Sequence, residues 1–546
     1  MSFWVNRVEG LSDNNPAALT LSDLLYCDVN DQEEVWSYLI LANYMVDTDW
    51  LLEVAPSLAQ TKRLLCIISG EKGYAKKVQS SSLFRRINAD KIRIVEAKLP
   101  LPFGVHHSKL AVCVNAKGIR VAVFTANFIH EDWAYKTQGI YVQDFPRYST
   151  SLKDTRTNTT FSDGTEDRGN RFKNELLGYL NYYGIFSNLS NKVAIPITIF
   201  DEIDFSSVNV EIITSIPGYH RYSDRNAYGL GRIPRVLQAI GVASSNNRHV
   251  ASLVWQFSSQ GKLTDSFLNA LEKAMLSEGE DSEDANKNPL CHEVQIVYPT
   301  EAEVKESLEG WRGGLALPLR LSSCHTYINQ RLHRWGQSNE GSCSKVILRR
   351  RALPHIKTYM RLTEKRDGIK WFILTSANLS RAAWGEWQKK ETQLAIRSYE
   401  FGVVYGKNSF IQFLEGIPFS VTPSKPIPIP SLVEDDGLVK VHIDPGEKQS
   451  IERGPALFLP YDPLHLEPYA STVQMREGKG NTCESQLNTD DIPWVIDLPH
   501  FGNDIFGKEL LTAMELERIS AHTISEISKN ENAGCEMLMR KRERLE

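Results

Sequence analysis

The sequence lacks paired cysteines. Its eight cysteines, at positions 27, 66, 113, 291, 324, 343, 483 and 535, are scattered, with no Cys-x-x-Cys among them. That argues against a zinc ribbon or a disulfide framework and fits a reducing compartment. Long apolar runs are missing too: nothing approaches the ~20 residues that cross a bilayer. The N-terminal MSFWVNRVEGLSDNN has no basic-then-apolar signal pattern. A soluble intracellular protein with no membrane partner is expected. Nor is there an excess of positive charge, since the formal net charge is −5. Any binding to nucleic acid must therefore use a local basic channel rather than a global field. Also absent are a Walker-type glycine loop, a G-x-S-x-G elbow and an H-E-x-x-H pair, so the chemistries they support are disfavoured.

What is present begins with size. A chain of 546 residues, 42% hydrophobic and 24% charged, has ample apolar mass for more than one core. RLLCIISG (63–70) and KIRIVEAKLP (91–100) read as short strands and GIRVAVFTAN (118–127) as a buried one, while EEVWSYLILANYMV (33–46) and FKNELLGYLNYYGIF (172–186) read as helices. Such mixing predicts an α/β fold. Segments 147–170, 277–289 and 422–437 are rich in Ser, Thr, Asp, Pro and Gly and read as loops. The tail after 503 reads as a basic helical or disordered segment ending in MRKRERLE.

An internal repeat organises the rest. HHSKLAVCVNAKGIRVAVFTANFIHEDW resembles PHIKTYMRLTEKRDGIKWFILTSANLSRAAW. Both run His-x-Lys, a short linker, a Gly-Ile-basic strand, Thr/Ser-Ala-Asn, and a Trp six residues beyond the Asn. The register pairs His107, Lys109, Asn127 and Trp133 with His355, Lys357, Asn378 and Trp384. His106 then falls opposite Pro354, which makes it a turn or packing residue. One His-x-Lys alone means little. Two copies, with His-to-Asn separations of 20 and 23 residues, imply a duplicated half-site on a pseudo-two-fold axis. If each motif begins a strand, its His and Lys share a face. Two lysines and two asparagines then surround one phosphoryl group without requiring a metal. One histidine attacks phosphorus and the other protonates the leaving oxygen. Two histidines fall short of the three ligands of a catalytic zinc site, so no metal site is expected.

These motifs resemble the phospholipase D superfamily, but that family's Asp is absent: Val114 and Leu362 stand five residues past the two lysines. The strings FGVHHSKL, HEDWAYKTQGIYV, WQFSSQGKL, IVYPTEAEVKESLEGW, PHIKTYMR, TSANLSRAAWG and TQLAIRSYEFGVVY resemble the tyrosyl-DNA phosphodiesterase 1 family, in a fungal-type form. The resemblance implies two similar phospholipase D-like αβα-sandwich halves, 1–205 and 206–503, with one active site between them and the tail at 504–546. It implies removal of adducts from DNA 3′ ends, above all the tyrosine of a trapped type IB topoisomerase, through a phosphohistidine. His107 is then the nucleophile and His355 the general acid and base. Lys109, Lys357, Asn127 and Asn378 bind phosphate, while Gln138 and Glu400 orient the histidines. Phe103 stacks on a base, Ser258, Ser259 and Ser380 contact DNA phosphates, and Tyr44 and Trp494 meet the peptide. Trp133 and Trp384 read as core. Arg349, Arg350 and Arg351 suggest a steering patch. The implied partners are single- and double-stranded DNA 3′ ends and the topoisomerase peptide. No cofactor is implied, and the expected state is a nuclear monomer.

Overall fold

In the computed structural model, apolar side chains alternate along the central strands, and that alternation decides how the layers stack. The structure describes residues 3–11, 18–148, 167–186, 194–242, 252–276, 293–336, 347–406, 439–443, 456–469, 492–498 and 500–510. The loops expected at 147–170, 277–289 and 422–437 lie mostly or wholly outside the described residues, as does the tail beyond 510.

Two large sheets carry the molecule. The first has the spatial order Ala18–Leu19, Phe3–Asn6, Gly139–Pro146, Gly118–Phe124, Leu110–Val114, Tyr38–Asn43, Leu64–Ser69, Ile92–Glu96. The second runs Glu211–Ser215, Glu400–Gly406, Ile369–Thr375, Thr358–Leu362, Ser252–Gln256, Glu293–Val297, Leu332–His333. Started at Phe3–Asn6 and at Glu211–Ser215, both sheets show four antiparallel pairings followed by two parallel ones. The repeat seen in the motifs is therefore a repeat of topology.

Ile40 and Ala42 of the first sheet, with Val112, Val121 and Tyr141, face a core that they share with Val254, Met360, Phe372 and Val403 of the second. Their strand neighbours Leu39, Leu41, Ala111 and Ala122 point the other way, toward helices on the outer face. The second sheet does the same with Leu253, Trp255, Ile373 and Val404. The period of two thus gives each sheet one face on the partner and one under helices. The helix Arg168–Asn181 enters the shared core through Phe172, Leu176, Tyr179 and Leu180, spaced as one helical face, and Asp167 caps its start by accepting from Asn170 N–H.

One expected element changes type. Residues 33–46 do not form a helix; Tyr38–Asn43 is a central strand with Leu39 to Ala42 buried on both faces. A short, wholly apolar run carries no periodicity to separate a buried strand from a helix. Among the described residues, no helix is long and apolar enough to cross a membrane.

The halves come close together at Gly104, where an added Cβ would lie 2.0 Å from the backbone oxygen of Arg397. Gly104→Ala should cost about 1–3 kcal/mol of unfolding free energy, as overpacked sites do. A urea titration with an unchanged midpoint would show that the loop can move aside.

Candidate active site

Three consecutive strands in each half bring their functional ends to one edge. His107 and Lys109 precede Leu110–Val114, Asn127 follows Gly118–Phe124, and Gln138 precedes Gly139–Pro146. In the second half His355 and Lys357 precede Thr358–Leu362, Asn378 follows Ile369–Thr375, and Glu400 opens Glu400–Gly406. Because neighbours are antiparallel, the start of one strand, the end of the next and the start of the third coincide. The His-x-Lys segments thus lie just ahead of the strands rather than within them. Each lysine instead folds back: Lys109 Nζ donates to the His107 carbonyl at 2.7 Å, and Lys357 Nζ donates to the His355 carbonyl.

The two halves are stitched together here. His107 N–H donates to Tyr399 O at 2.9 Å, and His355 N–H donates to Thr137 O at 3.0 Å. These place each histidine beside the residue that orients its ring. His107 Nδ1 lies 3.1 Å from Glu400 Oε2, and His355 Nδ1 lies 3.1 Å from Gln138 Oε1. Each partner comes from the opposite half. The hydroxyls of the Thr/Ser-Ala-Asn repeat complete the pattern: Thr125 Oγ1 donates to Gln138 Oε1 at 2.7 Å, and Ser376 Oγ donates to Glu400 Oε2. Gln138 Nε2 donates to Asp132 O at 2.9 Å, which fixes Oε1 as the acceptor facing His355. Both rings therefore carry their hydrogen on Nδ1 and leave Nε2 for chemistry.

Asn378 Oδ1 accepts from the backbone N–H of Ser258 at 3.1 Å and of Ser259 at 3.0 Å, and from Ser258 Oγ at 3.2 Å, which orients its Nδ2 as a donor. Asn127 is held differently, with its N–H and Nδ2 both on Asp132 and its buried Oδ1 without a partner among the described residues.

Burial sets the electrostatics. It pushes His107 below the usual imidazole range, with Lys109 adding to it and Glu400 opposing. His355 is pushed further down by burial and Lys357. Lys109 falls to about 8 through burial, against the pull of Glu400 and Asp132, and Lys357 falls well below the ordinary lysine range through burial and the neighbouring Lys109. Two buried cations so close together disfavour each other's charge, and an anion between them would relieve both.

His106 is the packing residue that the register implied. It is buried, with Nδ1 at 3.2 Å from Asn43 O and Nε2 at 3.0 Å from Tyr183 OH, and burial with Lys109 drops it to about 3. Trp133 and Trp384 are core. Among the groove residues, Phe103 is 91% exposed in a left-handed conformation (φ 61°). Tyr44 lies at the site, its ring 5.8 Å from that of His107. Ser380 Oγ accepts from Ala383 N–H and caps the turn after Asn378. Ser258 is buried and holds Asn378, so its hydroxyl acts on that side chain.

Two expectations need correction. Trp494 has no exposed surface; it stacks on His500 at 4.2 Å and donates Nε1–H to Gly314 O, so the second core uses the ring that was expected to meet peptide. The three arginines are no free patch. Arg349 is buried and donates to Asn6 O at 2.7 Å, while Arg350 pairs with Glu306 at 3.0 Å and Arg351 donates to the Glu306 carbonyl. Sequence reasoning assigned no role to Thr125, Ser376 or Asp132. The first two were visible as the repeated hydroxyl two residues before each Asn.

A sequence model of the family described as Tyrosyl-DNA phosphodiesterase matches residues 2–470. The chain belongs to this family. It is 34% identical over 433 residues to tyrosyl-DNA phosphodiesterase 1 of Arabidopsis thaliana, covering 78% of this chain and 65% of that protein. A probable tyrosyl-DNA phosphodiesterase of Caenorhabditis elegans is 33% identical, over 58% of this chain and 66% of that one. The chain thus spans just under two thirds of the length of these two relatives. On the fungal side, a probable member from Schizosaccharomyces pombe is 25% identical over 77% of this chain and 86% of its own. The crystal structure of the yeast tyrosyl-DNA phosphodiesterase superposes with a TM-score of 0.55 at 18% identity, over 75% of this chain and 90% of that one. That likeness shows the shared phospholipase D-like fold.

A titration follows from Lys109. Its ammonium is present below about 8 and lost above it, so affinity for an anion of constant charge falls as pH rises through that value. Sulfate affinity should drop by about tenfold per pH unit above it. Calorimetry showing a flat profile to pH 10 would remove Lys109 from anion binding.

Proposed function

We propose that this chain is a phosphodiesterase that hydrolyses the 3′-phosphotyrosyl bond between DNA and a trapped type IB topoisomerase, and other 3′ end blocks, leaving a 3′-phosphate. The observation that carries the reading is the crossed pair of histidines. Each is oriented through Nδ1 by the other half, and each has Nε2 free beside a buried lysine. Family membership and the names of the relatives point to the same bond.

In this reading His107 Nε2 attacks phosphorus while His355 Nε2–H gives its proton to the departing phenolic oxygen. Water then loses a proton to His355 and attacks phosphorus, the P–N bond breaks, and His107 recovers its lone pair. Lys109, Lys357 and Asn378 hold the non-bridging oxygens, whose negative charge grows in each transition state. Glu400 beside His107 stabilises the positive ring of the phosphohistidine. The open face of Phe103 offers a stacking surface to a base at the DNA end, and stacking tolerates any sequence. Single- and double-stranded 3′ ends, a topoisomerase peptide near Tyr44, a monomeric state and a nuclear location complete the proposal. A lipid-cleaving alternative lacks the carboxylate of that class, since Val114 and Leu362 are buried apolar strand residues.

A 3′-phosphotyrosyl single-stranded oligonucleotide in excess EDTA should be converted to the 3′-phosphate in a single turnover. Activity that appears only when a divalent ion is restored would overturn the two-histidine mechanism, and inactivity with and without metal would favour a non-catalytic DNA-end clamp. His107→Ala should fall below about a thousandth of the native rate. His355→Asn should stall after the first displacement and trap labelled 3′-DNA on a denaturing gel; release of free product at the native rate would remove His355 from the second step.

A further inference from the structure

Besides Gln138 against Glu400, the repeat breaks at a second buried position. Five residues past Asn127 stands Asp132, whereas five past Asn378 stands Ala383. Asp132 Oδ2 accepts from Asn127 N–H at 2.7 Å and from Asn127 Nδ2 at 2.8 Å, and the same oxygen lies 3.5 Å from His355 Nδ1. The backbone oxygen of Asp132 accepts from Gln138 Nε2 at 2.9 Å. One residue thus touches the repeat asparagine of its own half, the amide that orients His355, and the His355 ring itself. Its counterpart Ala383 has no side-chain oxygen to offer an asparagine or a ring, and Asn378 relies on Ser258 and Ser259 instead.

The charges around His355 are unequal. Gln138, its nearest partner, is neutral. Lys357, Lys109 and Lys136 all oppose a positive ring, as does burial, which is the largest effect; Asp132 acts the other way. Glu309 is committed to Lys136 at 3.0 Å, and Glu400 serves His107. Lys136 also lies 3.5 Å from Asp132 Oδ1 and shares its charge. Although burial pushes the Asp132 carboxyl up, His355, Lys136 and the Asn127 N–H more than offset this and hold it at about 2, so it stays ionised at any working pH.

We propose that Asp132 is the positioning residue of the acid step: its carboxylate supplies the negative charge that an imidazolium at His355 requires, while its hydrogen bonds with Asn127 and Gln138 fix that ring's surroundings. The proposal rests on reading His355 as the acid. In the first displacement the N–P bond to His107 forms, the bond from phosphorus to the phenolic oxygen breaks, and the proton on His355 Nε2 moves to that oxygen. In the second, water returns a proton to His355 and recreates the imidazolium beside Asp132. Asp132 exchanges no proton in either. Its removal therefore weighs most on leaving groups that need a proton.

Asp132→Asn keeps the shape and removes the charge. Single-turnover rates would be measured on a 3′-phosphotyrosyl oligonucleotide and on the same strand bearing a 3′-(4-nitrophenyl) phosphate, whose leaving group departs readily as the anion. The loss on the tyrosyl ester should exceed that on the nitrophenyl ester by at least about tenfold, a part of the roughly hundredfold or more that a general acid contributes. Equal losses on both would reduce Asp132 to scaffold and overturn the proposal, as would no loss on either. Lys136→Gln provides a second reading that does not depend on how well the first variant folds. Removing that cation eases protonation of His355, so the alkaline limb of tyrosyl cleavage should move to higher pH, and an unmoved limb would also overturn the proposal. A wild-type protein inactive on both esters would sink the functional reading and this inference with it, and would be recognised before any substitution was made.

Discussion

Neither half of this protein contains a finished histidine. The ring of His107 is held by Glu400 and that of His355 by Gln138, each across the boundary at 3.1 Å. A hydrogen bond at that distance weakens steeply with misalignment, so the site exists only when the two sheets are registered to a fraction of an ångström. The shared core performs that registration. Side chains from both sheets fill one apolar layer, and close-packed interiors resist small displacements. The backbone bonds from His107 to Tyr399 and from His355 to Thr137 then convert sheet register into ring position. A duplicated fold with an interfacial site follows as one device.

The same core permits an otherwise costly arrangement. Lys109 and Lys357 are fully buried, and each ammonium has a carbonyl of its own segment as a hydrogen-bond acceptor. Burying like charges is unfavourable, and the depressed lysine and histidine pKa values are the expression of that cost. The free site is therefore electrostatically incomplete, and an anion seated between the lysines would complete it. The tighter the anion's charge in the transition state, the more it returns, which is the sense in which preorganised charge accelerates a reaction.

The repeat was the most legible feature of the sequence. The pairing of His107 with His355 and the exclusion of His106 came from register alone, and the matched strand orders explain why register sufficed. Less legible were features in which burial competes with pattern. Within the run at 33–46, Leu39 to Ala42 is apolar on both faces, so its pattern does not distinguish strand from helix. The resemblance put Trp494 on the peptide side and residue type suggested a steering patch at Arg349, yet the structure buries both, one in an aromatic stack and the other on the Asn6 carbonyl. The His-x-Lys segments precede their strands, so a strand's alternation could not place the lysines. Asp132 stood in plain view inside HEDW, but a lone carboxylate has no meaning until its partners are known.

Duplication supplies symmetry, and the chemistry requires that symmetry to be broken. A histidine that bonds to phosphorus while keeping its Nδ1 hydrogen becomes a cation for the life of the intermediate, and a carboxylate in direct contact is the fitting partner. A histidine that must surrender a proton and take it back needs a weaker hold. Gln138 gives it orientation without charge, and Asp132 adds charge from slightly further away, at 3.5 Å, shared with Lys136. In the proposed mechanism, two positions that differ between the halves, Glu400 against Gln138 and Ala383 against Asp132, are the ones that assign attack to one ring and proton transfer to the other. Two equal halves would hold a phosphate well; these two differ where a leaving group must be protonated.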